Sequence, residues 1–226
     1  MEVDNSWSRW GKVLLLWIVS AAVGGGVAYF FVVGLAMLLG SADGLPFWIG
    51  VPVSVALGGT VAGLEQRRLF STWTEMSPAW VVWTAIGWAF GVSALVVLTV
   101  ALTETTRTMS NGDAIMTFVL VAALVGVLSS LGQWWLLRGK VSRVNWWLLA
   151  SAVGWILAWV TALGMAWVIQ ELPALPTTMQ DVGLALLLGG LAGGMLGLEQ
   201  GVALIGLFAQ MEWDARRKAR DEVFSA

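Results

Sequence analysis

The order of apolar and polar positions divides the chain into six long apolar runs with short polar breaks between them: 13–39, 47–64, 79–102, 114–137, 146–169 and 182–208. Each is close to the roughly 20 residues needed to cross a bilayer core about 30 Å thick. The runs are continuously apolar and do not alternate, which predicts helices and not barrel strands. The expected fold class is all-α, an integral membrane bundle of six transmembrane helices in a single domain, 1–226. A cleaved signal peptide would carry an apolar core of only about 7–15 residues. The first run continues for 27 residues, so it is read as the first span.

The polar breaks set the expected topology. Arg9, Lys12, Arg67, Arg68, Arg138, Lys140, Arg143, Arg216, Arg217, Lys218 and Arg220 fall on one side, and only Arg107 falls on the other. The positive-inside rule then places both termini in the cytoplasm, and the expected location is the cell membrane. The segment 211–226 reads as a charged cytoplasmic tail.

A string near the end of the second run, Gly59-Thr-Val-Ala-Gly63-Leu-Glu65-Gln66, returns in the sixth as Gly193-Gly-Met-Leu-Gly197-Leu-Glu199-Gln200. A weaker copy in the fourth reads Gly126-Val-Leu-Ser-Ser130-Leu-Gly132-Gln133, and the three glutamines are spaced by 67 residues. The same interval relates Trp80, Gly87 and Trp88 to Trp147, Gly154 and Trp155. With a four-residue shift, Trp17–Gly24 of the first run matches Trp147–Gly154. The repeating unit is therefore a helical hairpin, over about 10–70, 71–138 and 139–210. Three hairpins inserted in the same sense form a parallel repeat, and like contacts between them would give a pseudo-threefold axis along the membrane normal.

Three two-helix repeats match the mitochondrial carriers in number, but the proline-acid-basic signature of their odd helices is absent. The segments Gly132-Gln133-Trp134-Trp135-Leu-Leu-Arg138 and Trp146-Trp147-Leu-Leu-Ala-Ser-Ala-Val-Gly154-Trp155 resemble those of uncharacterised polytopic bacterial membrane proteins. Their repeats read Gly-x-x-Gln-Trp-x-x-Leu-Arg followed by a tryptophan-rich helix with Gly-Trp. The first and third repeats depart from that pattern, with Glu-Gln-Arg-Arg and Glu-Gln-Gly-Val. The resemblance implies the bundle architecture and no assigned activity.

Composition narrows the chemistry. Hydrophobic residues make up 58% of the chain and charged residues 12%, against about 25% charged in soluble domains. With no cysteine and no histidine, thiol chemistry and the commonest metal ligand and general base are missing. The three lysines lie at the ends of spans. No catalytic residue, metal site or cofactor is expected, and no nucleic-acid partner; the expected surroundings are the lipid bilayer, membrane-protein partners or further copies of the chain.

The candidate ligand-binding residues are Glu65, Gln66, Gln133, Glu199, Gln200, Trp88 and Trp155. Gly59, Gly63 and Gln66 share one helical stripe, as do their counterparts. Small residues at that spacing allow close helix approach, so the glutamines are expected to face protein. They either bond to the backbone of a neighbouring hairpin or form a polar ring about the axis. Each lies about 30 Å from the outer boundary at 1.5 Å per residue, near the cytoplasmic interface. Glu65 has Arg67, Arg68 or Arg138 as candidate partners, whereas apolar residues follow Glu199. Intramembrane acids are functional candidates by default.

Of the sixteen tryptophans, Trp7, Trp10, Trp73, Trp80, Trp134, Trp135, Trp146, Trp147 and Trp213 are expected to form an interfacial belt. Trp88 and Trp155 lie deeper, each after a repeated glycine, where an indole can line a pocket or fill the glycine's gap. The expected function is binding or transport of a small or lipidic solute. The alternative is a non-catalytic subunit of a membrane complex.

Overall fold

The computed structural model describes residues 6–39, 45–71, 75–106, 110–141, 143–171 and 178–225. Trp73, Arg107 and the side chain of Trp7 lie outside the described residues. The apolar runs form six helices: α1 (Ser6–Leu39), α2 (Leu45–Phe70), α3 (Ala79–Thr106), α4 (Asn111–Leu137), α5 (Asn145–Glu171) and α6 (Thr178–Ser225). No strand occurs among the described residues. All six helices contain a span long and apolar enough to cross a membrane.

Local chemistry sets several of the helix ends. Ser110 caps α4, its hydroxyl accepting from the Asp113 amide at 3.2 Å, which satisfies one of the donors left free in the first turn. After α4, Gly139 takes a left-handed φ of 85°, a conformation that glycine adopts without strain. Pro52 lies inside α2; it removes one helical hydrogen bond, and the helix continues to Phe70.

The sixth helix departs from the expected tail. Residues 211–225 continue α6, giving a helix of 48 residues, about 70 Å long at 1.5 Å per residue. Side-chain pairs one turn apart suit this extension: Glu212 meets Arg216 at 3.8 Å, and the Arg217 guanidinium lies 5.6 Å from the Trp213 ring centre.

Each helix packs against its two neighbours in chain order, and α6 packs against α1. The six therefore close into a ring. Small residues line its seams. At the α1–α2 seam, a Cβ on Gly24 would stand 2.6 Å from the Gly58 carbonyl oxygen. The α1–α6 seam is tighter, because a Cβ on Gly25 would run into the Gly189 carbonyl. Leucines such as Leu16, Leu120 and Leu124 are exposed on the outside of the ring, as a lipid-facing surface requires.

Candidate functional site

The axis of the ring is filled in layers. At the end that carries Arg67, Arg68 and Arg138, the indoles of Trp17, Trp80 and Trp147 meet edge to face. Their centroids lie 6.4 Å (Trp17–Trp80), 6.2 Å (Trp17–Trp147) and 5.7 Å (Trp80–Trp147) apart. All three are fully buried. Each odd helix contributes one, at the positions that the repeat aligns. Phe70 packs edge-on against Trp17 and Trp80, and Leu137, Leu204 and Met76 belong to the same cluster. This corrects the belt expectation for Trp80 and Trp147: side chains plug the axis here. One residue makes the difference, since Trp146 is 58% exposed while Trp147 is 0% exposed. Adjacent helical residues point about 100° apart. Trp135, Trp146 and Trp213 are exposed on the outside.

The glutamines lie next to this plug. Gln66, Gln133 and Gln200 are all buried, as their shared stripe with the glycines predicts. Their hydrogen-bond partners are side chains and not the backbone of a neighbouring hairpin. Gln133 Nε2 donates to Thr84 Oγ1 at 2.9 Å, and Gln200 Nε2 donates to Ser151 Oγ at 3.5 Å. Thr84 and Ser151 stand at the same repeat position, and both bonds lie within one hairpin. Thr84 also donates to the Trp80 carbonyl at 2.8 Å, so its hydroxyl is satisfied in both directions.

The first hairpin breaks this pattern. The position equivalent to Thr84 and Ser151 is Ala21, which offers no hydroxyl. Gln66 turns its oxygen to the Trp80 indole N–H at 3.4 Å, and its Nε2 has no partner. The indole nitrogens of Trp17 and Trp147 are also buried without partners. Orphaned buried donors are uncommon in folded proteins. Three of them therefore lie in this one region.

Two turns beyond the plug, Trp88 and Trp155 are buried in the second apolar cluster, with Ala28, Val55, Ala62 and Leu196. The Cη2 atom of Trp88 lies 3.3 Å from where a Cβ on Gly24 would stand, and the Trp155 ring lies against Gly91. Both tips thus occupy glycine notches on another odd helix. They also line a cavity of about 230 Å³, walled by α1, α2, α3, α5 and α6. Its other walls include Gly25, Val55, Ala158, Ala192 and Gly193, and Tyr29 supplies a phenol. The two roles expected for these tryptophans, lining a pocket and filling a notch, are therefore both present.

The acids separate from this axis. Glu65 is exposed and pairs with Arg68 at 2.5 Å, the partner expected of an interfacial acid. Glu199 is half-buried at the α5–α6 seam, its Cβ 3.4 Å from where a Cβ on Gly154 would stand. Neither touches the cavity. Among the described residues, no cluster of acids could hold a metal.

The candidate residues thus divide among three places. Trp88 and Trp155 meet at the cavity, the three glutamines sit one layer nearer the basic end, and the glutamates lie outside both. Sequence reasoning missed Trp17, Thr84, Ser151 and the absent side chains at Ala21 and Gly25. The 67-residue interval relates Thr84 to Ser151, and the four-residue shift that aligns Trp17 with Trp147 carried the signal for Ala21 and Gly25.

Fold and site together define an integral membrane protein, a closed ring of six spanning helices with an apolar cavity on its axis. The chain matches no protein-family model, no curated protein and no solved structure.

Proposed function

We propose that this protein binds a small apolar or lipidic solute in the axial cavity, as a non-catalytic binding or transport protein of the cell membrane. In this reading the basic end and both termini are cytoplasmic, and the cavity lies in the outer half of the bilayer. The observation that carries it is the cavity itself. At about 230 Å³ and only partly enclosed, it has room for a small apolar molecule. Its described walls are valine, alanine, glycine, leucine, the two indoles and Tyr29, a lining that suits an apolar occupant. The indole plug closes the axis toward the basic end, which favours entry from the opposite end or from the lipid.

The test compares the wild type with Ala192→Phe, which fills the cavity from α6. Protein purified in mild detergent is extracted and its small molecules measured by mass spectrometry, alone and after incubation with naphthalene or octane. The expected result is an apolar occupant in the wild type and its loss in Ala192→Phe, with helicity unchanged. Equal occupancy of the two proteins would overturn the proposal.

A second reading, a non-catalytic subunit of a larger complex, is favoured by the extension of α6 past its span, which ends at Leu207. It predicts a stoichiometric partner that is lost when residues 214–226 are removed.

A further inference from the structure

We infer that the cavity is the vacated place of a third indole, and that its ligand is a planar aromatic ring system. The inference rests on the reading of the cavity as a ligand site and adds the ligand's chemical class. The repeat that aligns Trp17, Trp80 and Trp147 aligns Gly25 with Trp88 and Trp155, eight residues further on in each case. Two of the three odd helices thus carry an indole at this level, and α1 carries none.

The two indoles present follow one rule. Trp88 of α3 reaches across to Gly24 of α1, and Trp155 of α5 reaches across to Gly91 of α3. Each goes from one odd helix to the preceding one and lands on a small residue. The third step would run from α1 to α5, onto Gly154 or Ala158 at the equivalent level. Ala158 faces the cavity, as does Gly25. The landing place is present and the ring is absent.

Gly25 cannot carry the missing side chain. A Cβ there would run into the Gly189 carbonyl and stand 3.1 Å from the Gly193 Cα. The α1–α6 contact occupies the space in which an indole would be rooted, while the space its ring would fill stays open. A ligand needs no such root. A fused bicyclic ring is the group that would stand in for the missing indole, with Trp88 and Trp155 among its neighbours. Aromatic contacts of this kind strengthen binding by about two- to tenfold each beyond area burial. A saturated chain of equal volume lacks that gain.

Photolabelling in lipid nanodiscs tests this with a naphthyl diazirine and an octyl diazirine, the labelled peptides being mapped by mass spectrometry. The naphthyl probe is expected to label the α1 peptide around Gly25 and the α5 peptide around Ala158, about tenfold more efficiently than the octyl probe. Trp88→Leu and Trp155→Leu are each expected to reduce naphthyl labelling by a larger factor than octyl labelling, the octyl signal that remains showing that the cavity persists. Ala158→Leu is expected to abolish both. Equal or greater labelling by the octyl probe would overturn the aromatic assignment and leave the cavity as a binding site. Failure of both probes to label these peptides in the wild type would overturn the binding reading as well.

Discussion

Substituting Ala21 with serine tests the broken hydrogen-bond layer directly. The hydroxyl would stand where Thr84 and Ser151 already serve Gln133 and Gln200, and would offer an acceptor to the orphaned Gln66 Nε2. Its own proton would share the Trp17 carbonyl with the Ser20 hydroxyl, which donates there at 2.8 Å, as that of Thr84 goes to the Trp80 carbonyl at 2.8 Å. An unsatisfied buried donor costs about 1–3 kcal/mol. Polar pairs between membrane helices are worth about 0.6 kcal/mol on average and at most about 1.7. The expected net gain is therefore about 0.5–1.5 kcal/mol. Ala21→Thr should gain less, because Gly197 of α6 lies so close to Ala21 that a Cβ on Gly197 would stand 2.6 Å from the Ala21 Cβ. The assay is equilibrium unfolding in mixed micelles with increasing dodecyl sulfate, followed by circular dichroism. A double-mutant cycle with Gln66→Leu isolates the pair. The reasoning is refuted if Ala21→Ser is neutral or destabilising, or if its gain persists in the Gln66→Leu background.

Two further substitutions follow from the packing. Gly25→Ala places a methyl group against the Gly189 backbone, and backbone cannot give way as a side-chain tip can; a loss of about 1–3 kcal/mol is expected. Gly206→Ala, with nothing within 4 Å of its Cβ position, should raise stability by a few tenths of a kcal/mol or leave it unchanged, through helix propensity; the same unfolding assay measures both. Glu65→Gln removes an exposed pair with Arg68, and the expected change is under about 1 kcal/mol, with solute occupancy unaltered when measured by extraction.

The spans were legible because a bilayer requires long apolar helices, and tryptophan, glycine and glutamine recur along the sequence at one interval. The phase of the glutamines was also readable. Gly59, Gly63 and Gln66 share a stripe, and close backbone approach along it forces Gln66 inward, to 1% exposure. The phase of the tryptophans was not. A Trp near the basic end suits a lipid interface and a packed axis equally well by hydropathy, so Trp146 and Trp147 look alike although only one is buried. Contacts across the ring decide between them. The helical continuation of α6 was hidden for a different reason: charged residues end a membrane span without ending a helix.

The departures at Ala21 and Gly25 have one cause. A ring of six helices has to bring its last member against its first, and here that seam is built from the smallest residues: Gly189, Gly193 and Gly197 of α6 against Ala21 and Gly25 of α1. Backbones that close favour small residues on the facing stripe. Ala21 and Gly25 lie one turn apart on that stripe, so the same approach removes a hydroxyl from one axial layer and an indole from the next. The hydroxyl's absence leaves the Gln66 donor unpaired, and the indole's absence leaves the cavity. The two features are thus consequences of how the ring closes, and an indole at Gly25 would have to reopen the α1–α6 seam before it could restore the repeat.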